Sequence, residues 1–399
     1  MRRWWIVLVL VVSGCSAGTG PAGLASTSPT PTSSPVASPP IAGPTALASA
    51  TPSTAPAIKP SATLLFAALE AKGTTNPVGW NTVAIAGLDG YARAKATFIP
   101  MPVPYVGCAN AVLPVSAQVA AGKVYFADGA GVIRALAPGG QPVEVTRFPL
   151  QSTQSMLSFA ISPDGTQLLA TIITLPPKPA SAADPCASWA SGQGSSIAQD
   201  VYAADNGSAA RLLYSTTSSG RPDVMAFIGW DKVGPEGTYP TVWAVQGGGP
   251  HHYNGVPVRI DPNTGHVTGP VSIPELCAVE DIAASGDFVC VPAGTRDFTM
   301  RKPDGTELWH YSPPTNISYF LELISPDENH LLALGSTSAV IDRDGTAWGL
   351  ATSFQASAWL DSQTLLGGGN GSNFAYFFRP APLRDDIGFT GMFVGTVRN

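Results

Sequence analysis

Three carboxylates are the chain's best candidates for chemistry. Glu280 and Asp281 are adjacent, and Glu322 stands in a later segment of similar β-rich character. Carboxylates converging on one cavity can hold a cation or an amine, or divide the roles of general acid and base. The bland reading is that one or more faces water or pairs with a neighbouring Arg or Lys. A second group lies in Gly247-Gly248-Gly249-Pro250-His251-His252-Tyr253-Asn254-Gly255. His251, His252 and Tyr253, with Trp189 in another irregular stretch, are candidate ligand-binding residues. Adjacent His side chains diverge and no carboxylate is close in sequence, so the pair reads as a polar loop and no metal site is expected.

Searches for other chemistry return little. No Gly-x-Ser-x-Gly elbow occurs, and five His leave few general bases. Gly367-Gly368-Gly369-Asn370-Gly371 lacks the Gly-Lys-Ser/Thr ending of a phosphate loop. Asp342-Arg343-Asp344-Gly345-Thr346 lacks the later Glu of a calcium loop and reads as a turn. No cofactor is expected.

The elements that would position the carboxylates are strands. From about residue 62 to 399 the chain shows short β-rich runs bounded by Gly, Pro, Asp and Asn, such as 82–86, 123–127, 168–173, 241–245, 331–334 and 374–378. No amphipathic helix stands out. Two turn series interleave: one includes Ser162-Pro163-Asp164-Gly165, Ser285-Gly286-Asp287 and Ser325-Pro326-Asp327. The other includes Asp89-Gly90, Asn206-Gly207, Asp304-Gly305 and Asp344-Gly345. Their recurrence suits four-stranded up-and-down units, strands a to d from inside outward. Turns a–b and c–d fall on one face; connections b–c and d–a fall on the other. Such a unit cannot bury both faces alone, so copies must stack in a ring. The expectation is an all-β chain with a single β-propeller of four-stranded blades, seven by this register, with six or eight left open. Residues 392–397 would supply the innermost strand of the first blade. Glu280 and Asp281 then fall in strand a of the fifth blade and Glu322 in strand a of the sixth, where side chains line the channel.

Phe159-Ala160-Ile161-Ser162-Pro163-Asp164-Gly165-Thr166-Gln167-Leu168-Leu169 resembles the repeat of the WD40-like propellers related to TolB. Leu323-Ile324-Ser325-Pro326-Asp327 is a partial copy that departs at Glu328, where Gly is expected. Asp304-Gly305-Thr306-Glu307-Leu308-Trp309 and Asp344-Gly345-Thr346-Ala347-Trp348 resemble hairpins of quinoprotein-type propellers. The resemblance implies a fold and is nearly silent on activity.

The N-terminus supplies an address. Met1-Arg2-Arg3 is a short basic region, and an apolar run from Trp4 to Val12 is too short to span a bilayer. Val12-Ser13-Gly14-Cys15 resembles the bacterial lipobox, which implies a signal peptide over 1–14 and a lipid on Cys15. Residues 15–61 are almost only Ser, Thr, Pro, Ala and Gly, a composition that cannot offset the entropy of ordering, so they read as a disordered stalk. Five Cys leave four after Cys15, an even number that in an exported chain suggests two disulfides. The blade register favours Cys108–Cys186 and Cys277–Cys290.

Charged residues make up only 12% of the chain, where about 25% is usual. The net charge of -6 offers no basic footprint for nucleic acid. The expected protein is therefore a monomeric lipoprotein, exported and anchored to the bacterial membrane on its extracytoplasmic side. It would bind a protein, glycan or peptide through the face carrying the longer connections, 100–114, 174–196 and 246–255. The competing readings are a hydrolase or lyase working through the channel carboxylates, and an envelope assembly or scaffold protein.

Overall fold

Runs of Val, Ile, Leu, Phe and Ala at strand length, cut by tight turns, pair with their neighbours in sequence rather than across long loops. The computed structural model describes residues 64–70, 80–101, 117–153, 155–174, 197–218, 225–231, 241–246, 256–270, 277–283, 285–292, 295–314, 319–335, 338–350, 355–369, 372–377, 384–389 and 391–398. Among the described residues there are twenty-eight strands and no helix. They form seven sheets of four strands, and every pairing is antiparallel.

Six of the sheets follow chain order, with strands a at Ala117–Ala120, Ser155–Ile161, Met225–Asp231, Cys277–Ile282, Tyr319–Ile324 and Gln355–Trp359. The first sheet is composite. Its strand a is Met392–Val397, the last strand of the chain, which pairs with Leu65–Glu70, the first. Strands a of the first and second, second and third, third and fourth, fifth and sixth, and sixth and seventh sheets lie against one another along an inner wall. This is a β-propeller. The shared sheet ties the last strand of the chain to the first, and the apolar face of the seventh blade is covered by the first.

Buried side chains join the blades pairwise. Phe126, Val124 and Leu136 of the second blade pack against Leu69, Val83 and Ile85 of the first. Tyr125 and Ile133 meet Leu157, Phe159 and Leu168 of the third. Phe227 and Val258 of the fourth meet Ala160 and Leu169. Val289, Phe298 and Met300 of the fifth meet Leu331, Ala333 and Ile341 of the sixth. Leu332 and Val340 of the sixth meet Trp359 and Leu365 of the seventh. Leu360, Leu366 and Ile387 of the seventh meet Phe66 and Ala84 of the first. The first, second, third, sixth and seventh blades thus present an apolar surface on both faces, which is why strands such as Ser155–Ile161 are buried at every position. This also explains the low charge content.

Polar bonds lace the same interfaces. The Gln118 side chain donates to the Phe159 carbonyl at 2.6 Å and accepts from the Ile161 N–H at 3.2 Å. Ser158 Oγ donates to the Phe227 carbonyl at 3.1 Å, Trp359 Nε1 to the Leu323 carbonyl at 3.0 Å, and Thr396 Oγ1 to the Leu360 carbonyl. On the face of the short turns, c–d turns rest on strand d of the preceding blade. Gly139 N–H donates to the Arg93 carbonyl and Gly207 N–H to the Val145 carbonyl, both at 3.0 Å. Gly90, at φ 78°, sits so close to the seventh blade that a Cβ there would lie 2.2 Å from the Ile387 carbonyl oxygen.

Candidate functional site

The inner wall is where the three carboxylates were expected. In the fifth blade, strand a (Cys277–Ile282) pairs Val279 with Cys290 and Asp281 with Val289, leaving Glu280 as the extra residue of a β-bulge. Strands a of the fourth, sixth and seventh blades carry the same irregularity, between Phe227 and Gly229, Tyr319 and Leu321, and Ala356 and Ala358. A bulge turns one residue out of the ladder and re-aims its neighbours. Here it places Asp281 toward the sixth blade and leaves Glu280 half buried.

Asp281 is fully engaged. Its Oδ1 accepts from the N–H of Ile282 at 2.9 Å and its Oδ2 from the N–H of Ile324 at 2.8 Å. It stitches the fifth blade to the sixth, as Gln118 stitches the second to the third through Ile161. Glu280 has a carboxyl raised above its ordinary range, first by burial and then by the negative charge of Asp281. Glu322 lies in strand a of the sixth blade, opposite Ala333. Glu280 and Glu322 hold the same place relative to the a–b turns that begin at Ala283 and Ser325.

Cys277 and Cys290 are joined by a disulfide, with Cα atoms 5.7 Å apart. Cys277 lies opposite Pro292 and Cys290 opposite Val279, so the bond crosses the hairpin diagonally. Cys108, Cys186, Trp189, His251, His252, Tyr253 and Cys15 lie outside the described residues.

Two clusters emerge that sequence reading passed over. In the sixth blade the Asp342 carboxylate is buried and accepts from Trp348 Nε1 at 2.9 Å, while its other oxygen meets His330 Nδ1 at 2.7 Å. On the far side of that ring, His330 Nε2 is 3.7 Å from Asp327, whose carboxylate also accepts from Ser325 Oγ at 2.6 Å. The second cluster is Asp287 of the fifth blade, raised to about 6 by burial and by the charge of Glu328. Only the Glu-for-Gly departure at 328 marked this place in the sequence. Among the described residues, no group of three or more His, Cys, Asp or Glu is arranged to hold a metal. No helix among them is long and apolar enough to cross a membrane.

Comparison with known proteins adds the fold alone. No protein-family pattern matches the chain, and no curated protein matches it in sequence. Solved structures similar to it include oligogalacturonate lyase from Vibrio parahaemolyticus, at 11% identity and a TM-score of 0.45, over 67% of this chain and 75% of that one. Virginiamycin B lyase from Staphylococcus aureus is 13% identical with a TM-score of 0.39, over 67% and 82% of the two chains. The C-terminal WD40 domain of Sif2 is 12% identical with a TM-score of 0.39, over 72% and 76%.

Proposed function

We propose that this chain is an exported lipoprotein whose single ring of seven blades binds a protein, glycan or peptide through the face of its longer connections. The anchor is the lipid on Cys15, and the Pro-, Ser-, Thr- and Ala-rich segment over 15–61 sets its reach. The observation that carries the non-catalytic reading is Asp281. Both its oxygens accept main-chain N–H groups, so this carboxylate serves the joint between two blades. Loops on a rigid frame are the usual seat of recognition, and the inter-blade lacing supplies that frame.

Two experiments test it. Cys15→Ser releases the protein from the membrane fraction if the anchor is lipid; unchanged partition into membranes overturns the anchor. Photo-crosslinking residues placed at Trp189, His252 and Tyr253 trap a partner in intact cells, whereas the same residue at Asp164, Asp304 and Asp344 traps none. Trapping from the second set alone reverses the assignment of faces.

Glu280 favours the second reading, a hydrolase or lyase, because burial and the neighbouring charge of Asp281 raise its carboxyl above the ordinary range, as in a group that delivers a proton. Turnover of any polysaccharide in a panel by the natural protein, abolished by Glu280→Gln, would establish it.

A further inference from the structure

Strand d ends each four-stranded sheet, so its outer row of N–H and C=O groups has no partner within the blade. Six of the seven edges carry a guard. Arg93 and Lys95 stand in Ala92–Thr97 of the first blade, and Glu144 and Arg147 in Val143–Arg147 of the second. The fourth blade's Val267–Pro270 is four residues long and ends in Pro. Glu307 and His310 stand in Glu307–Tyr311 of the fifth, and the sixth blade's Ala347–Gly349 is only three residues. Arg384, Asp385 and Asp386 stand in Arg384–Phe389 of the seventh. Charge, Pro and short length all discourage pairing at an edge.

The third blade is built otherwise. Its strand d, Arg211–Ser218, is eight residues long, and after Arg211 the run Leu212-Leu213-Tyr214-Ser215-Thr216-Thr217-Ser218 holds neither charge nor Pro. Among the described residues, main-chain hydrogen bonds reach this strand only from its inner neighbour, Ile197–Asp205. Tyr202 stands opposite Leu212 and Val201 opposite Tyr214, which leaves Leu213 as the extra residue of a bulge. The bulge shifts the alternation, so Leu212, Ser215 and Thr217, opposite Tyr202, Asp200 and Ala198, share one face. All three are exposed, Leu212 at 48%. On the other face Tyr214 stacks on His266 of the fourth blade, ring centroids 4.3 Å apart, and donates through its hydroxyl to the Gly265 carbonyl at 3.1 Å. The strand is thus held from behind, and its pairing with the inner strand is regular from Tyr214 to Ser218.

We propose that this outer edge of the third blade pairs with the same edge of a second copy of the chain, the two strands running antiparallel across a twofold axis. Charge selects the occupant. An antiparallel strand that meets its own copy sets central residues against themselves or near neighbours. In the first blade that would set Arg93 and Lys95 against like charge, and in the seventh Asp385 and Asp386, whereas in the third it brings Tyr, Ser and Thr together. The contact uses the rim of the ring and leaves the face of the longer connections free, so it stands independently of the function proposed above.

The test expresses the full chain in intact cells as two differently tagged copies, one carrying a photo-crosslinking residue at Thr217. A crosslinked product bearing both tags is expected. Ser215→Lys in both copies sets like charges across the axis and should cut that product about fivefold, and Ser215→Glu in both should do the same. Ser215→Lys in one copy with Ser215→Glu in the other should restore it, a recovery that misfolded variants could not give. Absence of the doubly tagged product, its persistence when both copies carry Ser215→Lys, or no recovery in the mixed pair overturns the proposal. A product formed only with a different protein also overturns it, and gives the edge to an extended segment of that partner.

Discussion

Asp281 of the fifth blade accepts the main-chain N–H of Ile324 in the sixth at 2.8 Å, in the manner that Gln118 of the second accepts that of Ile161 in the third at 3.2 Å. Both acceptors sit on an innermost strand, and both donors immediately precede an a–b turn. The two are stitches of one ring, one charged and one neutral. Asp281→Ala leaves the Ile324 N–H without its partner in a partly buried place and should cost about 2 kcal/mol, whereas Asp281→Asn, which retains an acceptor, should cost less than about 1. Urea unfolding of the two variants measures the difference; equal losses would deny the bond its role.

The Asp342 carboxylate should prove costlier to remove. It is buried and serves both His330 and Trp348, so Asp342→Ala strands two donors and should destabilise the chain by about 3 kcal/mol. Loss of the near-ultraviolet dichroism of Trp348 at temperatures where the natural protein retains it would report the same event locally.

Two turn positions should respond in opposite directions. Glu328→Gly relieves a side chain at φ 59° and should stabilise the chain by about 1 kcal/mol near neutral pH. Gly90→Ala adds a Cβ that would lie 2.2 Å from the Ile387 carbonyl oxygen, at φ 78°, and should cost about 3 kcal/mol. Melting temperatures of the pair, read side by side, check both signs.

The disulfide in the fifth blade closes a short loop, with a sequence separation of 13. Cys277→Ala with Cys290→Ala should lower stability by about 3 kcal/mol, the cost of freeing a loop of that length in the unfolded chain. Unfolding in denaturant under oxidising conditions measures it. An unchanged midpoint would mean that the hairpin is held by its packing alone.

Glu280 carries a pH signature. Its carboxyl is raised in the fold, so its contribution is complete below the unfolded value of 4.5 and fades as pH climbs past the folded one. Glu280→Gln should therefore be more stable than the natural protein at neutral pH and should lose that advantage in acid. A variant that is less stable at neutral pH would show that the ionised group is held by a partner.

Much of the architecture was legible in the residues. The alternation of β-rich runs with Asp-Gly and Pro-Asp turns located the strands, because only glycine and a few polar residues take the backbone through such corners. The terminal run 392–397 was legible as a strand for the first blade, since a ring of stacked sheets leaves its first unit one strand short. The pairing of Cys277 with Cys290 followed from their places on one hairpin.

The site was far less legible, and the reason is geometric. A period of two assigns residues to faces of a strand, but a bulge breaks the period, and nothing in Val279-Glu280-Asp281 announces one. The bulge decides that Asp281 becomes a stitch and Glu280 a half-buried acid. His330, Asp342 and Trp348 come from three strands of one blade, and Asp287 and Glu328 from turns of two. Such meetings depend on strand register within a blade and on how blades lie against each other. Residue types and local spacing thus determined strands, turns and the kind of ring this chain builds, because those follow from backbone sterics and burial. Which carboxylates bond, which repel and which hold a proton was decided only by tertiary structure, because electrostatic partners are chosen by distance through space rather than along the chain.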